Sequence, residues 1–343
     1  MRSPHKLKGT LLEYIVRRLL SNCGFKSVVP DGKYIYKQRG LTFINGKGAA
    51  HDADVLMSPP IQMPFSYPYR LNFECKAYNK RIGLTIIRNA LGLRYDINEF
   101  EIVTKKSIKK RKNNRRAKFA IENRQRYNYQ VGVASVEDFT KPAFEFAANN
   151  KIPLISLRWF LPPAVCDLFH QITTAYLAQF TNEQLDAFYD FIKGNDNIAG
   201  SDFVTNIDSH FKTIIDSLEE FESRVLIGLL DSGDMLFLVG DEGVNSYNTV
   251  MENPGIMTAQ YHFAERGDTN WILDINDGML RLNFYIPESI QAIWKDQNYD
   301  LALARELKER YFQRLFLFVN DRRRPFRIVE IDAEWLELIL RRR

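Results

Sequence analysis

Two short stretches of the chain, HDADVLM (51–57) and NFECKAY (72–78), hold residue types able to do chemistry. Side chains alternate along a strand, so Asp52, Asp54 and Leu56 are expected on one face and Ala53, Val55 and Met57 on the other. The same alternation puts Glu74 and Lys76 together while Phe73, Cys75 and Ala77 turn into a core. If the two strands pair, two carboxylates and a lysine converge on one patch. Those groups suit hydrolysis of a phosphodiester. Hard carboxylate oxygens hold Mg²⁺ and leave it open positions for water and a phosphate oxygen. The metal polarises the phosphoryl group and acidifies its bound water. A neighbouring lysine orients that water and stabilises charge on the transition state. A surface Asp and an exposed Glu-Lys face on an edge strand would give the same letters. The apolar neighbours Leu71, Phe73, Cys75 and Ala77, and Val55 to Met57, favour the site.

The elements that must position these residues follow from periodicity. Thr10 to Asn22 carries Leu11, Leu12, Ile15, Val16, Leu19 and Leu20, an amphipathic helix stripe that Gly24 ends. Thr42 to Asn45, Asp52 to Met57 and Arg70 to Tyr78 are expected strands, and the prolines of Ser58 to Tyr69 make that stretch a loop. A helix is expected over Leu84 to Tyr95, then strands at Phe100 to Thr104 and Tyr129 to Ser135. A helix over Thr140 to Asn149 is opened by Thr140 as N-cap, with Pro142 in its first turn. A last strand covers Ile152 to Leu157. Helices and strands alternate, which predicts a mixed α/β sheet.

The composition is that of a soluble globular chain: 343 residues, 45% hydrophobic and 26% charged, enough for two domains. No apolar run approaches the ~20 residues needed to span a bilayer, and Met1 to Gly9 shows no secretory signal. Cys23, Cys75 and Cys166 have no paired spacing, which argues against disulfides and a zinc site and for a reducing, cytoplasmic setting. The net charge of +5 is concentrated: Lys105 to Gln130 holds eleven Lys and Arg against the single acid Glu122. A basic run of this density suits a polyphosphate partner, since each phosphate neutralised releases counterions; a solvated loop is the plainer reading.

The order of these elements resembles the PD-(D/E)xK nuclease superfamily, and in particular the Mrr-like restriction endonucleases. The resemblance rests on the opening helix GTLLEYIVRRLLSNCGF, on HDADVLM, FECKAY and IGLTIIRNALGLRYDI, and on GVASVEDFTKPAFEFAANNKIPLISL. It covers about residues 9–160. It implies a restriction-endonuclease-like mixed sheet flanked by helices, with Asp54 and Glu74 as metal ligands and Lys76 positioning the attacking water. Glu13 would complete the metal shell from the first helix, with an exposed helix acid as the alternative; Asp52 departs from the pattern as an extra acid two residues ahead, a candidate to share or replace the role of Asp54. The metal would be Mg²⁺, with Mn²⁺ as a substitute. Arg88 and Arg94, on the helix after the ExK strand, are candidate phosphate contacts, with salt bridges as the alternative. Within the insert 105–126, Lys109, Lys110, Arg111, Lys112, Arg115 and Arg116 are candidates for a DNA-gripping arm. His51 is a candidate proton shuttle or phosphate contact, or a strand cap.

The expected organisation is a nuclease domain at 1–162, a helical connector at 163–222 and an α+β domain at 223–343 for sensing, DNA binding or dimerisation. In the connector, helices are expected at Ala164 to Phe180, Asn182 to Lys193 and Asp202 to Glu222. Beyond it, RVLIGLL, MLFLVG, WILDI and LRLNFYI read as strands with DSGD, GDEG and NDG as hairpin turns. Helices are expected at Ile286 to Trp294 and Leu301 to Val319. The expected function is a metal-dependent DNA endonuclease in restriction or anti-phage defence, without a membrane, working as a homodimer or with partner subunits of a defence system. The alternatives are a repair or recombination nuclease, or a nucleic-acid-binding module that keeps the fold without catalysis.

Overall fold

The computed structural model describes residues 3–341 except 33, 39, 48, 63–65, 99–126, 160, 195–208, 232, 264–269 and 287. The expected strand at Phe100 to Thr104 and the basic insert 105–126 lie outside the described residues.

Helix α1 (Pro4–Asn22) starts earlier than its apolar stripe suggests. Ser3 caps it by accepting from Lys6 N, and Pro4 sits in its first turn. It ends at Gly24, whose φ of +87° favours glycine and whose missing Cβ leaves room for Val319 O. Strands β1 (Lys26–Ser27), β2 (Ile35–Gln38), β3 (Leu41–Asn45), β4 (Ala50–Asp52), β5 (Val55–Ser58) and β6 (Tyr69–Lys76) follow. Helix α2 (Leu84–Asn98), strand β7 (Asn128–Ser135), helix α3 (Lys141–Asn149) and strand β8 (Leu154–Ser156) close this half. Thr140 occupies the N-cap of α3, but its side chain makes no capping bond.

The main sheet has the order β1-β5-β6-β7-β8, with β6, β7 and β8 parallel and β5 antiparallel to β6. Val55, Met57, Phe73 and Cys75 pack into one core with Leu11, Leu12, Ile15 and Leu19 of α1. Leu56, Val131 and Val133 share a second core with Ile87 and Ala90 of α2 and Ala143 of α3. The sheet is therefore a middle layer. A separate meander, β2-β3-β4, stands beside it. This corrects the single strand expected over Asp52 to Met57: the chain leaves the meander at Asp52 and enters the main sheet at Val55. Asp52 and Asp54 therefore do not share the face of one strand.

Gly132 on β7 lies opposite Phe73. A Cβ there would meet the Phe73 ring and come within 2.8 Å of Pro153 O. Gly132→Ala is expected to destabilise the fold by about 1–3 kcal/mol through overpacking, read as a lower urea midpoint. An unchanged midpoint would show that the ring moves aside freely.

Helices α4 (Pro163–Gln171), α5 (Thr174–Leu177), α6 (Asn182–Lys193) and α7 (Ser209–Arg224) lead to the second half. The helix expected over Ala164 to Phe180 is broken, because Thr173 turns the chain and caps α5 by accepting from Tyr176 N. The Asn182 to Lys193 helix forms as expected, with a Thr181/Gln184 capping box and Gly194 at φ +70°. These helices join the core of α1: Ile192, Phe211 and Leu218 lie in it, together with Val225, Ile227, Phe237 and Phe318 of the strands beyond. Arg18 also pairs with Glu222 at 2.5 Å.

The remaining strands are β9 (Val225–Leu230), β10 (Met235–Gly240), β11 (Met257–Phe263), β12 (Asn270–Ile275), β13 (Leu280–Tyr285), β14 (Arg314–Phe318) and β15 (Phe326–Ile331). They close into a barrel of order β10-β13-β12-β11-β15-β14-β9, a size whose interior side chains can fill. Helices α8 (Ser246–Glu252), α9 (Glu288–Asp296), α10 (Leu301–Tyr311) and α11 (Ala333–Arg341) accompany it. DSGD and NDG are hairpin turns, with Asn276, Asp277 and Gly278 all at positive φ, whereas GDEG leads into α8. The long helix expected over Leu301 to Val319 is also overturned: α10 stops at Tyr311, and 314–318 form the strand that closes the barrel against β9 and β15.

Tyr261, Trp271, Phe284 and Phe312 are fully buried in the barrel's core. Lys308 of α10 is 5% exposed, with its Nζ 5.0 to 5.5 Å from the ring centres of Phe263, Trp271 and Trp335. Burial, helped by the charge of Arg305, pushes its pKa down to about 8. No helix of the described residues is long and apolar enough to cross a membrane, and Cys23, Cys75 and Cys166 are free and buried.

Candidate active site

Val55 pairs with Phe73 in the antiparallel β5–β6 ladder, so Asp54 comes opposite Glu74 one step beyond. The Cys75 backbone N–H donates to Asp54 Oδ2 at 2.8 Å, fixing the carboxylate at the mouth of the ladder. Lys76 Nζ donates to Glu74 Oε2 at 3.0 Å and lies 3.9 Å from Asp54 Oδ2. The structure thus brings Asp54, Glu74 and Lys76 together, each side chain between 21% and 25% exposed.

The electrostatics of the cluster are lopsided. Burial, then the charges of Glu74 and Glu13, push the Asp54 carboxyl up to about 7 against the pull of Lys76 and the Cys75 N–H. For Lys76, burial works against the charge, but Glu74 and Asp54 outweigh it and raise the pKa. Lys76 is therefore a cation, a donor rather than a proton acceptor.

Glu13 projects from α1 and pairs with Lys193 of α6 at 3.5 Å. Burial raises its pKa, Lys193 and Arg17 lower it, and the nearby Asp52 adds a small upward push. Asp52 itself is exposed at the end of β4, opposite Phe43. Lys193 lies too far along the chain from Glu13 for any local pattern to signal it as a partner. Asn72 was also passed over, although alternation puts it on the face of Glu74 and Lys76. It is fully buried, and neither polar atom of its side chain has a hydrogen-bond partner among the described residues.

Of the other candidates, His51 Nε2 lies 2.6 Å from Asp96 Oδ2, a tie between β4 and α2. Arg94 donates to Asn150 O at 2.7 Å, Lys151 O at 3.3 Å and Gln130 Oε1 at 3.2 Å, binding α2 to the end of α3. Arg88 is exposed on α2, with its guanidinium 5.8 Å from the Phe146 ring centre. Lys109, Lys110, Arg111, Lys112, Arg115 and Arg116 lie outside the described residues. A cluster that the sequence reading did not single out joins Glu137 to Arg158 at 2.6 Å and to His170 at 2.7 Å. The Arg158 bond dominates in holding the Glu137 carboxyl below its ordinary range.

No group of three or more His, Cys, Asp or Glu side chains among the described residues stands ready to hold a metal ion. The donor set that remains is Asp54 and Glu74, two hard carboxylates side by side. Mg²⁺ is commonly held by one or two carboxylates while keeping several waters, and a cation here would relieve the crowding that lifts Asp54. The pair fits that ion in chemistry.

No known family model matches this chain, and no curated protein matches it. A crystal structure of a protein of unknown function, AF1548, is similar at a TM-score of 0.33 and 15% identity, over 62% of this chain and 97% of that one. A likeness at that score assigns neither fold nor function.

Proposed function

We propose that the chain is a metal-dependent DNA endonuclease that hydrolyses phosphodiester bonds. The observation that carries this reading is the meeting of Asp54, Glu74 and Lys76 across the β5–β6 ladder. The order α1, β5, β6, α2, β7, α3, β8 further supports a restriction-endonuclease-like core, and the resemblance in the motifs suggests a part in restriction or anti-phage defence.

Asp54 and Glu74 would hold Mg²⁺, or Mn²⁺ in its place. When bound, the ion supplies Lewis-acid polarisation of the phosphoryl group and an acidified water. The chain's own residues do the positioning. The Cys75 N–H keeps Asp54 aimed, and Glu74 anchors the Lys76 ammonium at 3.0 Å. Being cationic, Lys76 donates to the attacking water or a phosphoryl oxygen and stabilises the negative charge that grows there. Lys76 therefore takes no proton: the proton of the water passes to bulk solvent, and the departing oxygen is protonated from the same pool. Glu13, paired with Lys193 at 3.5 Å, adds negative charge near Asp54 that a bound cation would offset. The arm at 105–126 would grip the backbone electrostatically, and its binding should weaken steeply with salt.

The test is incubation of supercoiled plasmid with the full chain in Mg²⁺ or in EDTA, beside Asp54→Asn. Nicking or linearisation in Mg²⁺ alone, lost in Asp54→Asn, is the expected result. Cutting that continues in EDTA or in the variant overturns the reading.

A further inference from the structure

A cleft of about 840 Å³ opens between α3 and the barrel. Its volume lies within the roughly 300–1,000 Å³ of small-molecule sites, which favour such junctions between layers. One wall is aromatic: Trp159 and Tyr285 reach across from the two halves with ring centres 5.3 Å apart. Trp159 is held in place by donating from Nε1 to Asp138 at 3.0 Å, while Tyr285 remains 45% exposed. The cleft is braced at its edge by the Lys151–Asp234 pair at 2.6 Å.

The second observation is Gln291 of α9. It lines the cleft and is 8% exposed. Its side-chain amide offers one donor edge and one acceptor edge to whatever enters. Charge is mixed around it: Arg81 and Lys295 are balanced by Asp241 and Glu242. A groove for a nucleic-acid backbone would be one-sidedly basic, and this one is not.

We propose that the cleft binds a single nucleobase on its nucleoside or nucleotide, the ring against the Tyr285–Trp159 wall and its hydrogen-bonding edge on the Gln291 amide. A flat heterocycle with adjacent donors and acceptors matches both features, since stacking on an aromatic side chain tolerates any base while an amide reads an edge. The base could come from a free nucleotide or be extruded from a nucleic acid strand; the chemistry at the wall is the same.

The experiment titrates the full chain, without metal, with adenosine, guanosine, cytidine and thymidine monophosphates and with ribose 5-phosphate, reading tryptophan fluorescence. A parallel arm uses oligonucleotide duplexes carrying 2-aminopurine, which brightens when unstacked. Saturable quenching by a nucleotide but not by ribose 5-phosphate, absent in Trp159→Phe, supports the site with a free ligand. Brightening of the duplex probe without a response to free nucleotides supports it with an extruded base. Gln291→Leu is expected to weaken binding about tenfold or more, as lost hydrogen-bond readout does. The exposed Tyr285→Ala is the second variant should Gln291→Leu fold poorly. No response in either arm, or affinity unchanged in both variants, overturns the proposal. Repeating the titration on Lys76→Ala separates it from the nuclease reading, because the cleft should bind equally well when cutting is lost.

Discussion

Lys76→Ala is expected to cut plasmid DNA in saturating Mg²⁺ some 10²–10³-fold more slowly than the wild type, the usual loss when one aimed donor to a developing anion is removed. The effect should fall on the rate rather than on metal affinity. Removing the ammonium that lies 3.0 Å from Glu74 and 3.9 Å from Asp54 leaves the carboxylates less compensated, so they should hold a divalent cation at least as tightly. Lys76→Arg keeps the charge but spreads it over a planar fork, and should recover only part of the activity. Nicking time courses across a Mg²⁺ titration separate the two quantities. A rate unchanged in Lys76→Ala would remove this lysine from the chemistry, and a loss repaired by more metal would make it a binding residue only.

The second large effect concerns stability. Lys308→Met should raise the unfolding free energy at pH 7 by about 1–3 kcal/mol. In the folded chain burial pushes the Lys308 pKa down to about 8 from its ordinary 10.5. Between those values the unfolded chain binds more protons than the folded one, so stability rises with pH across the window, and below it the penalty is present in full. Each unit corresponds to ~1.4 kcal/mol, of which the faces of Phe263, Trp271 and Trp335 return a part by attracting the cation. Methionine fills a similar volume without the charge. Urea midpoints at pH 7 and pH 10 read the outcome: the variant should gain at pH 7 and lose the pH slope. A midpoint lower than wild type at pH 7 would mean that the rings stabilise the ammonium more than burial opposes it.

The site was more legible in the sequence than the architecture around it. FECKAY declared its own two faces, because Phe73 and Cys75 are apolar and Glu74 and Lys76 are not, and β6 carries that alternation into the sheet. HDADVLM misled because period two is the same whether a run stays in one sheet or passes from one to the next, as it does between Asp52 and Val55. The Lys193 partner of Glu13 depends on packing of α6 against α1, which no local pattern encodes. Phe312, Leu315, Leu317 and Val319 satisfy a helical stripe and a strand about equally well. The choice was made by the open edges of β9 and β15, which exist only once the barrel is assembled.

The core under α1 draws side chains from the sheet, from the helices of 163–224 and from Val225, Ile227, Phe237 and Phe318 of the barrel. A fragment ending at Pro162 would strip α1 of one of its covers. It should aggregate on expression, whereas the whole chain should unfold in a single calorimetric transition. For the same reason the two halves cannot be traded between proteins like beads on a string. Recombination that brought in a different barrel would have to remake the interior surface of α1 at the same time.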